Sequence, residues 1–91
     1  MRVISGDELT TALGNVPGWG VEGRCLTQTR TFADFAEAMR FVNDAAGLAE
    51  RMDHHPDMDI RYNRVKLTLT THDAGGITDR DVRLASLLNT L

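Results

Sequence analysis

From Phe35 to Met52 the apolar residues Phe35, Ala38, Met39, Val42, Ala45, Ala46, Ala49 and Met52 recur at steps of three and four. That spacing gathers them on one side of an α-helix. Arg40, Asn43, Asp44, Glu50 and Arg51 fall off the stripe. Thr31 and Asp34 stand ahead of it at cap-like spacing. Pro56 ends it, because the proline ring pushes His55 out of the α region. Such a helix takes up a large share of a chain of 91 residues. It is expected to pack one side on a sheet and to present another to a second subunit.

The remaining elements arrange themselves around that helix. A short first helix is expected from Ser5, with Glu8 at reciprocal capping spacing, an apolar stripe of Leu9, Ala12 and Leu13, and a stop at Gly14. Pro17-Gly18 reads as a turn. Two strands follow, Trp19–Glu22 and the threonine-rich Cys25–Phe32, joined at Gly23-Arg24. Beyond the long helix, Met58, Ile60 and Tyr62 alternate with Asp57, Asp59 and Arg61. Val65, Leu67 and Leu69 alternate with Lys66, Thr68 and Thr70. Period two is the mark of strands with one buried face, and Asn63-Arg64 is the expected tight connection. After the loop Asp73–Gly76, a last helix starts at Thr78 with Asp81 as its reciprocal cap and Val82, Leu84, Ala85, Leu87 and Leu88 as its apolar residues. The order α-β-β-α-β-β-α predicts an α+β fold, a four-stranded antiparallel sheet with three helices on one face, in one domain spanning residues 1–91.

Composition narrows the functional classes. The chain is 42% apolar and 25% charged, as in an ordinary globule. A net charge of −3 argues against a nucleic-acid surface. The single cysteine, Cys25, cannot form an internal disulfide, which suits a reducing, cytoplasmic setting. Met1–Thr10 has no apolar core of a secretory signal, and no apolar run reaches the ~20 residues that span a bilayer. Phosphate loops, nucleophile elbows and dinucleotide fingerprints are absent from the sequence.

The chemistry-bearing residues are the three histidines. His54 and His55 sit where the long helix breaks, and His72 where the fourth strand meets the glycine loop. An imidazole titrates near 6.5, so three at such boundaries suggest proton transfer. The plainer reading of His54-His55 is a solvated pair at a helix C-terminus, favoured by its dipole. For His72 it is a surface histidine on the open sheet face. A zinc site is disfavoured, since adjacent ligands splay apart and no metal is expected. Cys25 lacks an adjacent base and reads as a packed or surface thiol. Glu50, one turn before His54, is placed for an i,i+4 contact that orients the imidazole, or is solvated helix charge. Asp73 could favour the protonated form of His72, or merely open the loop. Trp19 reads first as core.

Three stretches together carry a resemblance. Glu50-Arg51-Met52-Asp53-His54-His55-Pro56, Tyr62-Asn63-Arg64-Val65, and Thr71-His72-Asp73-Ala74-Gly75-Gly76-Ile77-Thr78-Asp79-Arg80-Asp81 resemble the pterin-4a-carbinolamine dehydratases over nearly the whole chain. E-x-x-x-H-H-P combined with T-H-x-x-G is specific; either half alone is weak. The resemblance implies the fold already derived, a homodimer or homotetramer built through the long helix or a sheet edge, and dehydration of a 4a-hydroxytetrahydropterin to quinonoid dihydropterin and water without cofactor or metal. It implies His54, His55 and His72 as acid/base groups. Pro56, Thr71, Asp73 and Ala74 would contact the pterin, and Glu50 and Asp81 would line the site. Met58 stands where the family often has an aromatic residue, so Trp19 becomes the candidate ring wall. Ala74-Gly75 replaces a cysteine of the animal members and leaves the histidines intact. The competing readings are a non-enzymatic dimerisation or assembly module on the same fold, against which the three histidines argue, and another pterin-recycling role.

Overall fold

The computed structural model describes residues 2–91. Its elements are α1 (Gly6–Gly14), β1 (Gly20–Glu22), β2 (Cys25–Thr31), α2 (Phe35–Met52), β3 (Asp57–Arg61), β4 (Arg64–Leu69) and α3 (Asp79–Leu88), the order read from the sequence. The strands form one antiparallel sheet, β1-β2-β4-β3. Its register places Leu26 opposite Leu69, Gln28 opposite Leu67 and Met58 opposite Leu67, so these residues share the face that carries the helices. Val65, Leu67, Leu69 and Leu26 are fully buried there beneath Ala38, Phe41 and Ala45 of α2 and Leu84, Ala85 and Leu88 of α3. Fully burying one such leucine contributes about 1.5–3 kcal/mol. The opposite face, with Thr27, Thr29, Lys66 and Asp59, is open.

Several local expectations are corrected. In α2, Phe41 belongs to the buried face, whereas Phe35 and Ala46 are exposed. The buried face of α2 thus runs 38, 41, 45, 49, keeping three positions of the expected stripe and adding Phe41. Phe41 is pinned by Phe32, with ring centroids 5.2 Å apart, and by the Arg30 guanidinium 4.6 Å over its ring. The N-cap of α2 is Asp34, whose Oδ1 accepts from the Glu37 N–H at 2.8 Å, while Thr31 closes β2. Ser5 stands at the N-cap of α1 without a side-chain capping bond. Glu8 is engaged elsewhere, its two oxygens each 2.6 Å from an Arg2 nitrogen. A bidentate ion pair is stronger than a neutral cap. β3 ends at Arg61. Tyr62 adopts φ +52° in the tight turn with Asn63 and is exposed, so the connection lies one residue earlier than the alternation suggested.

At the far end of α3, Arg30 donates to the Leu88 and Leu91 carbonyls at 2.8 and 2.9 Å, and burial lowers its guanidinium pKa. Trp19 is buried nearby, its indole N–H donating to Asn89 Oδ1 at 3.0 Å. Among the described residues no helix is long and apolar enough to cross a membrane.

Candidate active site

The site is built where α2 stops. Asp53 takes the left-handed conformation, φ 50° and ψ 43°. Its N–H donates to the Glu50 carbonyl at 3.2 Å, and the next N–H, that of His54, reaches back to the Ala49 carbonyl at 3.1 Å. This pair of bonds is a Schellman termination, which usually recruits glycine at the left-handed position. The reversal turns His54 inward, leaving it 7% exposed, and sends His55 outward.

A second reversal meets the first. Beyond β4 the chain bridges Thr71 to Gly76, and the Ala74, Gly75 and Gly76 N–H groups all converge on the Thr71 carbonyl. Gly75 sits at φ +81°, which a side chain would strain. His72 projects from the start of this turn and is exposed. α3 then begins at Thr78 with a full capping box.

Asp81 joins the two reversals. It is fully buried. Its Oδ2 accepts from the Thr78 N–H and from the Thr71 hydroxyl, both at 2.8 Å, and its Oδ1 lies 2.5 Å from His54 Nε2. Because Thr71 spends its one hydrogen on Asp81, the Thr78 hydroxyl must donate to Thr71 Oγ1 across their 2.7 Å contact. Asp81 accepts throughout, which assigns the hydrogen of His54 to Nε2 and leaves Nδ1 without a partner among the described residues. Among the described residues no buried side-chain nitrogen or oxygen lacks a partner.

Above this network lies an open cleft of about 250 Å³ lined by Asp53, His54, His55, Thr70, Thr71, His72, Asp73 and Arg80. The fold thus brings the three histidines, Thr71 and Asp73 into one place. Asp81 lies beneath them. Glu50 approaches from the rim but pairs with His55, 2.7 Å from Nε2, and not with His54 as the i,i+4 spacing suggested. The turn at Asp53 carries His54 away from the helix surface. Pro56 and Ala74 flank the cleft without lining it. Trp19 is not part of it. The cleft lies at the N-terminus of α3, whereas Trp19 is bonded at the C-terminus, about 15 Å along a ten-residue helix. Asp53, Thr70 and Arg80 line the cleft and were not singled out from the sequence. For Asp53 and Arg80 neither spacing nor residue type gave a signal. Among the described residues no three His, Cys, Asp or Glu side chains group as metal ligands.

The family model for pterin 4 alpha carbinolamine dehydratase matches residues 2–91. The chain belongs to the pterin-4-alpha-carbinolamine dehydratase family. Its relatives include a provisionally named pterin-4-alpha-carbinolamine dehydratase of Thermomicrobium roseum, 56% identical over 84 residues that cover 90% of each chain. Another, of Koribacter versatilis, is 48% identical over 97% of this chain and 94% of its own. Among solved structures, a transcriptional coactivator/pterin dehydratase from Brucella melitensis superposes with a TM-score of 0.92 at 38% identity, over 98% of this chain and 97% of that one. A pterin dehydratase-like protein described as a RuBisCO assembly factor of the alpha-carboxysome shares the fold, with a TM-score of 0.69 at 20% identity, over 84% and 90% of the two chains. The three imidazoles stand in the wall of the cleft.

Proposed function

We propose that this protein dehydrates a 4a-hydroxytetrahydropterin to quinonoid dihydropterin and water by histidine acid/base catalysis, in tetrahydropterin recycling. The observation that carries the reading is the convergence of His54, His55 and His72 on one cleft, with His54 held through Nε2 by a buried carboxylate. Water leaves C4a when an acid protonates the hydroxyl as the C4a–O bond breaks and a base takes a proton from the pterin ring. His54 and His72 form the main proton-transfer pair, and His55 binds the ring or serves as a second acid. Each positioned group contributes about 10²–10⁴-fold. Thr71, Asp73, Glu50, Pro56 and Ala74 are proposed pterin contacts around the cleft, and Asp81 acts from below through His54. No cofactor enters this scheme.

The enzyme is proposed to work in the cytoplasm as a homodimer or homotetramer. The exposed edge strand β3 and the exposed Phe35 side of α2 are the surfaces on which two copies would meet, and light scattering on the purified protein measures the copy number. The test of the activity is stopped-flow dehydration with the wild type and His54→Ala, His55→Ala and His72→Ala. Loss of rate in these variants supports the reading; wild-type rates in all three remove it. The similarity to a transcriptional coactivator/pterin dehydratase favours a second reading, a dimerisation or assembly module on the same fold. Purified protein that binds no pterin would select it.

A further inference from the structure

The cleft holds one cation whose part the acid/base scheme does not assign. Arg80 is the second residue of α3. Its backbone N–H donates to the Thr78 hydroxyl at 3.3 Å, and its Nη2 donates to the carbonyl of Asp53. Asp53 is the left-handed residue that terminates α2 and throws His54 inward and His55 outward. A non-glycine residue in that conformation is disfavoured and persists only where its surroundings hold it. A guanidinium on the terminal carbonyl does so twice, by hydrogen bonding and by placing positive charge at the negative end of the helix dipole. His54 is then clamped from two directions, its ring by Asp81 and its backbone by the turn that Arg80 secures. Arg80 and Asp81 are neighbours on α3, so one helix start addresses both.

From this geometry we infer that Arg80 is a positioning residue, which holds the left-handed turn at Asp53 and thereby sets the direction of both His54 and His55. For catalysis the inference rests on the dehydratase reading above; for the turn itself it does not.

Amide hydrogen exchange and dehydration rate are measured on the wild type, Arg80→Ala, Arg80→Lys and Arg80→Ala/Asp53→Gly. Rates are taken at about 0.5 M salt, where the through-space effect of a lost charge is largely screened. In Arg80→Ala the amides of Asp53 and His54 exchange faster while those of β4 keep their protection. Its kcat falls by up to about 10²-fold, the scale of a misplaced catalytic group. Arg80→Lys, which keeps one donor and the charge, recovers much of both. Glycine at 53 needs no external hold, so the double variant regains exchange protection and rate relative to Arg80→Ala. Unchanged exchange at Asp53 and His54 in Arg80→Ala overturns the inference, as does a double variant no better protected than the single one. If the wild type does not dehydrate pterin, the functional reading falls and the exchange pattern alone decides the role of Arg80.

Discussion

His55 Nε2 lies 2.7 Å from Glu50 Oε2, five residues back along the chain, while the adjacent His54 turns the other way to meet Asp81. Two neighbouring imidazoles thus receive a carboxylate each, one at the rim and one in the interior. The rim pair is wet, with side chains 57% and 76% exposed; the other pair is dry, at 8% and 0%. Its dryness gives the inner pair a structural role beside the chemical one proposed for it, and the variants below separate the two.

Glu50→Ala and His55→Ala are expected to leave folding almost untouched, since exposed ion pairs contribute about 0–1 kcal/mol. Their melting temperatures stay within about 8 °C of wild type, the most that such an energy gives a domain of this size. Pterin dehydration slows in both, more in His55→Ala. Thermal denaturation beside stopped-flow rates makes the comparison.

Asp81→Ala loses a helix cap, a partner of Thr71 and the anchor of His54 together. Removing one member of a buried pair costs about 3–5 kcal/mol. The melting temperature is expected to drop by more than about 10 °C, and the dehydration rate by at least the roughly 10²-fold that one positioned acid or base provides. Calorimetry and stopped flow on the same preparation check both numbers.

The His72 ring is exposed and makes no side-chain hydrogen bond among the described residues, its carbonyl alone accepting from the Gly75 N–H at 3.1 Å. His72→Ala should therefore keep the wild-type melting temperature and lose about 10²–10⁴-fold in rate. A variant that unfolds early, or one that dehydrates at full speed, contradicts this.

Two surface carboxylates contribute to the response to acid. Hydrogen bonding from Arg2 holds the Glu8 carboxyl below its ordinary 4.5, and Thr27 with Lys66 does the same for Glu22. A carboxyl depressed in the folded state stabilises it above the ordinary value, and that contribution disappears as pH falls through the depressed one. Unfolding followed from pH 6 downward, to about 2.5, should show Glu8→Gln and Glu22→Gln losing less stability below pH 4.5 than wild type. Both effects shrink in high salt, as exposed pairs do.

The legible parts of the fold were those that periodicity alone decides. Val65, Leu67 and Leu69 alternate without interruption and form the buried strand at the centre of the sheet. Thr78 and Asp81 announced the start of α3. Tyr62 misled, because its place in the alternation continued β3 while the chain had already turned, and a tyrosine at positive φ carries no signature. The same holds at Asp53, where glycine would have marked the termination of α2 and aspartate did not. From that one hidden turn follow the pairing of Glu50 with His55 and the inward course of His54. Arg80 could not be read at all, since its partner is a backbone carbonyl on another helix. Trp19 belonged to the core, as its apolar bulk first suggested.

Asp81 uses one pair of oxygens to begin a helix and to grip an imidazole. Selection for a stable molecule and selection for an active one therefore act on a single codon. A descendant that replaced this aspartate would have to rebuild the start of its last helix in the same step. On the proposed mechanism, drift toward an inactive but intact protein has an easier route through position 72, where a substitution would silence the chemistry and leave the architecture standing.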